Sequence, residues 1–126
     1  MRLFGYRGEL TEAGLERVMR VGPDDLVLVV TVGEGAAEAV VGSGRSVRTG
    51  PDSAEVAFMV AKDYQGQGIA RRLLARFVDS ARENGVSRLE ADVLAENRAM
   101  LSVFEAGGLP MHRARDGNVV HVTLAL

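Results

Sequence analysis

The segment from Ala54 to Leu94 constrains the fold more than any other part of the chain. Ala54–Val60 is a mostly apolar run of strand length, and Arg88–Leu94 reads as a second strand. Between them Ile69, Leu73, Leu74, Phe77, Val78 and Ala81 recur at helical spacing, with Arg71, Arg72, Arg76, Asp79 and Arg82 on the opposite face. Gly85 suits the position just past the end of such a helix. A long helical crossover joins two strands in parallel, with a right-handed connection. The helix then starts beside the carboxyl end of its preceding strand. That is where open sheets take ligands, and where unpaired N–H groups favour an anion.

The junction reads Tyr64-Gln65-Gly66-Gln67-Gly68-Ile69-Ala70-Arg71-Arg72. Small residues let a backbone approach a ligand closely. A phosphate held there would receive several N–H donors and the helix dipole, with Arg71 and Arg72 adding charge at the same end. An ordinary tight strand-to-helix turn is the competing explanation. The P-loop requires a Gly-Lys-Ser/Thr that this segment lacks, and the dinucleotide fingerprint requires a small residue where Arg71 stands.

The remaining segments alternate around this unit. Met1–Phe4 is expected as a short strand, and a helix over Glu12–Val21 is expected from Thr11 as cap with Leu15, Val18 and Met19 on one face. Gly22-Pro23-Asp24 ends it. Leu26–Val32 is expected as a strand buried on both faces, and a second strand covers roughly Glu38–Arg48. Asn97 can cap a last helix with Met100, Leu101 and Phe104 inward, ended by Gly107-Gly108. Asp116-Gly117 signals a type I′ hairpin, followed by alternating Val120, Val122, Leu124 and Leu126.

Composition excludes several chemistries. The 126 residues suit one domain, spanning residues 1–126, long enough to bury a core. With no cysteine, disulfides, thiolate zinc sites, iron–sulfur clusters and a cysteine acyl-enzyme are ruled out, and the chain fits a reducing, cytoplasmic setting. A net charge of −2 argues against nucleic acid as a partner. No apolar run is long enough to cross a membrane, and Met1–Gly5 does not read as a signal peptide. His112 and His121 lie in the final hairpin without helical metal-ligand spacing, so no metal is expected.

The glycine segment matches a further pattern, Gln/Arg-x-x-Gly-x-Gly/Ala, as Gln65-Gly66-Gln67-Gly68-Ile69-Ala70. That pattern resembles the acyl-CoA loop of the GNAT-superfamily N-acetyltransferases. The resemblance extends through Val56–Val60 before the loop, Leu89–Val93 after the helix, Glu96–Leu101, and Gly108-Leu109 before the closing hairpin. It covers most of the chain from about Leu26 onward. The stretches Gly44–Arg48, Ala54–Phe58, Val93–Met100 and Leu3–Gly5 look like the acetyltransferase domain of bacterial protein-lysine acetyltransferases, which are often fused to a regulatory domain. A chain of this length leaves no room for that fusion. The implied fold is α/β, of the α+β kind: a mixed, mostly antiparallel sheet with one parallel strand pair, flanked by helices.

The resemblance also implies a chemistry: direct acetyl transfer from acetyl-CoA to an amine, a protein lysine being the favoured acceptor. It places the pyrophosphate on the N–H groups of Gln65, Gly66, Gln67, Gly68, Ile69 and Ala70, beside Arg71. The pantetheine would pair along the strand ending at Met59 and Val60, splayed from the Leu89–Leu94 strand, with Asn97 hydrogen-bonding it. A backbone N–H near Phe58 or Met59 would hold the thioester oxygen. An alkyl amine is protonated at neutral pH and must lose a proton before attack. Glu55 is the leading candidate base, set against a solvated strand-edge glutamate; Glu90 and Asp92 are weaker candidates, expected to face solvent or pair with arginines. Many GNAT enzymes carry a tyrosine on the last helix to protonate the leaving thiolate, and this chain has Phe104 there. A small-amine acetyltransferase and a non-catalytic acyl-CoA-binding domain are the rival functions. An oligomer is compatible with the apolar Val119–Leu126 strand.

Overall fold

The structure is a computed structural model that describes residues 16–22, 24–33, 39–66 and 68–126. Seven strands, β1 (Glu16–Gly22), β2 (Asp25–Val32), β3 (Ala39–Arg48), β4 (Ser53–Val60), β5 (Arg88–Leu94), β6 (Met111–Asp116) and β7 (Val119–Ala125), form one sheet in the order β1-β2-β3-β4-β5-β7-β6. Helix α1 (Ile69–Glu83) crosses from β4 to β5, and α2 (Arg98–Ala106) follows β5. The β4–β5 pair is parallel and the other pairs are antiparallel. A mixed, mainly antiparallel sheet with one parallel pair is thus what the chain forms.

Both described helices lie on one face of the sheet. Ile69, Leu73, Leu74, Phe77, Val78 and Ala81 of α1 are buried, as are Leu101 and Phe104 of α2. They meet Leu28 and Val30 of β2, Val56 of β4, Leu89, Ala91 and Val93 of β5, and Val120, Val122 and Leu124 of β7 in one core. Phe58 stacks between the helices, 5.7 Å from Phe77 and 5.6 Å from Phe104 by ring centroids. Close packing of α1 on β3 depends on Gly44, where a Cβ would come within 2.6 Å of the Phe77 ring. At the far end Arg48 ties the sheet to α1. Its guanidinium donates to Asp24 Oδ1 at 3.1 Å, Pro51 O at 2.7 Å and Asn84 O at 2.6 Å.

Three expectations from sequence are corrected. Residues 16–21, expected in a helix, form strand β1, paired with β2 from Glu16↔Val30 to Gly22↔Asp25. Val18 and Met19 satisfy helical and extended patterns alike, and the adjacent β2 edge supplies a hydrogen-bonding partner that decides for the strand. The rest of that expected helix, with its Thr11 cap, and the Met1–Phe4 strand lie outside the described residues. Strand β2 is not buried on both faces. Leu26, Leu28 and Val30 are buried while Val27 and Val29 are half-buried, as befits an antiparallel strand with one face on the core. The last hairpin turns on Gly117-Asn118 between the paired Asp116 and Val119. Only Gly117 has positive φ (62°), which is the type II′ pattern and not I′.

Candidate active site

Strands β4 and β5 pair only at their amino ends, at Ser53↔Arg88, Ala54↔Leu89 and Glu55↔Glu90. Beyond Glu55 they part, while β4 stays paired with β3 as far as Val60 and β5 stays paired with β7 as far as Leu94. The β5-facing edge of β4 from Val56 onward therefore has no strand partner. Its amide groups are open to an extended molecule that can hydrogen-bond as a strand would. A cleft of about 530 Å³ lies here, a volume suited to a small organic ligand. Phe58, Met59 and Val60 form one wall; Asn97, Ala99, Met100 and Val103 of the α2 region form the other; Tyr64–Gly66 and Gly68–Arg71 close its mouth.

The mouth has an unusual supply of donors. Gly68 occupies the N-cap of α1 with φ of 84° and has no side chain to cap the helix, and the first turn holds no acidic residue. The first intrahelical bond is Arg72 N–H to Gly68 O at 3.0 Å. Among the described residues no acceptor meets the N–H groups of Gly66, Gly68, Ile69, Ala70 and Arg71. Those donors and the positive end of the α1 dipole suit an anion. Gly66 shares the left-handed conformation (φ 80°), and a Cβ on either glycine would touch no protein atom within 4 Å. Nothing in the protein therefore crowds this side of the loop. Gln65 fastens the loop to β4 by donating from Nε2 to Val60 O at 3.2 Å, and its own N–H donates to Lys62 O. Its backbone N–H and one hydrogen of its side-chain amide are thus engaged in holding the loop. Arg71 is exposed at the mouth, whereas Arg72 does not line the cleft.

Asn97 is the N-cap of α2. Its Oδ1 accepts the Met100 N–H at 3.1 Å, and the side-chain amide N–H groups have no partner among the described residues. One side chain thus starts the helix and offers donors to the cleft. Phe104 is buried at 2% exposure against Phe58, beneath the cleft and not in its lining. Gln67 lies outside the described residues.

Glu55 sits where β4 and β5 begin to part, on the sheet face turned away from α1 and α2. It is exposed and does not line the cleft. At about 3.3 Å per residue it stands roughly 10 Å along the strand from Phe58. Among the described residues it makes no hydrogen bond or ion pair. Glu90 and Asp92 share its face, and sequence reasoning missed their principal partner. His121 of β7 places Nδ1 2.6 Å from Asp92 Oδ1 and Nε2 3.0 Å from Glu90 Oε1. The two acceptors, Asp92 first and Glu90 second, raise the imidazole pKa above its usual 6.5. Arg88 adds a longer contact to Glu90 at 3.6 Å. The signal was the register: His121 is the direct cross-strand partner of Asp92, and Glu90 lies two residues along the same face. Among the described residues no group of His, Asp or Glu is arranged to hold a metal.

The acetyltransferase (GNAT) family model matches residues 6–108 of this chain. The chain belongs to the GNAT acetyltransferase family. Among individual GNAT proteins, the acetyltransferase Pat of Mycolicibacterium smegmatis is 42% identical over 101 residues, 78% of this chain and 30% of that protein. A Pseudomonas aeruginosa acetyltransferase is 31% identical over 127 residues, covering 95% of this chain and 68% of its own length. The crystal structure of the GNAT domain of S. lividans PAT superposes with a TM-score of 0.70 at 33% identity, covering 82% of this chain and 61% of that one. This chain thus spans under a third of the M. smegmatis protein.

Proposed function

We propose that the chain is an N-acetyltransferase that moves the acetyl group of acetyl-CoA directly to a primary amine, with a protein lysine as the favoured acceptor. The observation that carries this is the end of β4–β5 pairing at Glu55↔Glu90, which opens a cleft whose mouth holds N–H groups that meet no acceptor among the described residues. The pyrophosphate sits on the N–H groups of Gly66, Gly68, Ile69 and Ala70, with Arg71 beside it. The pantetheine amides pair along the free edge of β4 and with the Asn97 amide. The lysine acceptor is supported by the resemblance of Gly44–Arg48, Ala54–Phe58 and Val93–Met100 to bacterial protein-lysine acetyltransferases.

The acceptor amine arrives as an ammonium and gives up one proton to Glu55 through water. Its lone pair then attacks the thioester carbonyl carbon. The oxygen takes up the carbonyl's electron pair and is held by a backbone N–H of Phe58 or Met59. Collapse breaks the C–S bond and forms the amide. The nitrogen of the tetrahedral intermediate carries one proton too many for an amide, and it passes that proton to the CoA thiolate directly or through water, because Phe104 has none to give. No enzyme nucleophile is required, in keeping with a chain that has no cysteine. Residues 1–126 act as one catalytic domain working in the cytoplasm. Among the described residues no helix is long and apolar enough to cross a membrane.

Phe104 favours a second reading, a non-catalytic acyl-CoA-binding domain. Thiol release from acetyl-CoA, measured with lysine peptides and polyamines as acceptors, separates the readings. Release that depends on a lysine peptide supports the first; release only with polyamines makes the chain a small-amine enzyme. Binding of acetyl-CoA without release supports the second. Glu55→Gln should bind acetyl-CoA normally and slow transfer, most visibly near neutral pH, and an unchanged rate removes Glu55 as the base.

A further inference from the structure

The sheet face turned away from the two described helices carries three carboxylates close together, on Glu55, Glu90 and Asp92. Glu55 and Glu90 are register partners across the parallel pair, and Asp92 follows two residues along β5. An ammonium approaching the parted strands from this face meets all three. Only one of them, Glu55, is placed by the proposed function to take its proton. A cation paired with either of the others is bound and idle.

His121 changes this competition. A neutral imidazole has one N–H donor, whereas the imidazolium has two. Carboxylate oxygens lie at hydrogen-bond distance from both ring nitrogens at once, 2.6 Å and 3.0 Å, so both bonds together require the doubly protonated ring. The charged groups around it are few. From β5 Asp92 and Glu90 face it, with Arg88 reaching Glu90. From β6 its register partner is Ala114, with His112 and Asp116 two residues away on the same face. On β3 the nearest arginine of this face, Arg45, is held by Asp25 at 2.7 Å. Arg45 and Arg88 are thus engaged, and among the described residues Glu55 is the carboxylate of the three without a partner.

We propose that His121 is a positioning residue: by holding Glu90 and Asp92 together it keeps both from capturing the acceptor's ammonium and leaves Glu55 to receive it. This rests on the assignment of Glu55 as base and of a cationic amine as acceptor. The role is one of selection, since His121 touches neither acetyl-CoA nor the reacting atoms.

Unproductive binding has a distinctive kinetic form. It lowers kcat and KM by the same factor and leaves kcat/KM unchanged, because the idle complexes compete only with the productive one. The test is steady-state transfer by the full chain at saturating acetyl-CoA, with a lysine peptide varied. His121→Ala should lower kcat and the peptide KM together by about fivefold, the upper reach of an exposed ion pair, with kcat/KM within about twofold of wild type. Adding Glu90→Gln and Asp92→Asn to that variant should restore kcat, which a loss of packing would not allow. Should His121→Ala fail to fold, His121→Gln keeps one donor and should give a smaller fall of the same parallel kind. A fall in kcat/KM at unchanged or raised KM, or no restoration in the triple variant, overturns the proposal. Glu55→Gln run alongside keeps the two assignments apart. A wild-type rate there removes the base and this proposal with it; a slowed rate there with unaltered His121→Ala kinetics removes this proposal alone.

Discussion

Gly68 and Gly85 stand at opposite ends of α1 and provide a matched pair for testing the glycine loop. Both have positive φ, 84° and 76°, and at both an added Cβ meets no protein atom within 4 Å. A leucine at either position pays the left-handed penalty of about 1–2 kcal/mol with no clash. For a chain of 126 residues that lowers Tm by roughly 4–8 °C, to a similar extent in the two variants. Their effects on ligand should differ. Gly68 lies at the mouth of the cleft and Gly85 does not line it. A side chain at Gly68 obstructs only what comes to the loop from outside. Losing two N–H bonds to a charged phosphate, each about 1.5 kcal/mol, weakens binding by about 3 kcal/mol, or roughly a hundredfold in Kd. Thermal unfolding measures the strain, and calorimetric titration with acetyl-CoA measures the binding. Gly68→Leu should lose affinity a hundredfold while Gly85→Leu keeps it. Equal Kd values for the two variants would refute the assignment of the loop to phosphate.

Three other outcomes follow from the packing and the clamp. Gly44→Ala places a Cβ 2.6 Å from Phe77 Cε2 and 3.1 Å from Phe58 Cδ1, so overpacking should cost about 2 kcal/mol and roughly 8 °C in Tm by thermal unfolding. Asn97→Ser keeps an oxygen to cap α2 but removes the amide donors, so Tm should change little while the Kd for acetyl-CoA rises about fivefold to tenfold; Asn97→Ala should lose about 1 kcal/mol of stability as well. His121 is held protonated by Asp92 and Glu90, with a folded-state pKa above the unfolded 6.5. Its contribution to stability is therefore fully present below pH 6.5 and is lost as pH rises through the folded value. Urea unfolding of wild type and His121→Ala should show the widest gap near pH 6 and a narrowing one toward pH 9. A gap that widens with pH would contradict the clamp.

What the sequence disclosed depended on how local the determinants were. The β4–α1–β5 crossover was legible because its helix has an unbroken apolar stripe and its turn carries Gly66 and Gly68, so period and punctuation agree. The lining of the cleft followed from it, since a helix that starts beside a strand's carboxyl end brings Val60, Gly68 and Arg71 together whatever the rest of the chain does. Strand β1 was misjudged because Val18 and Met19 fit both periods, and only the neighbouring β2 edge resolves them. The parting of β4 and β5 after Glu55 gave no signal within either strand; it arises between them. The His121 clamp was hidden for the same reason. His121, Asp92 and Glu90 are 29 and 31 residues apart, and they meet only through the β5–β7 register. That Glu55 turns away from the helices and stays out of the cleft's lining likewise required the three-dimensional arrangement.

Calorimetric titration of the protein with acetyl-CoA decides whether the cleft between β4 and β5 takes that ligand. Saturable binding of one acetyl-CoA per chain is expected, weakened by Gly68→Leu and unaffected by Glu55→Gln. No heat of binding up to millimolar acetyl-CoA, from a protein that unfolds cooperatively, would contradict it.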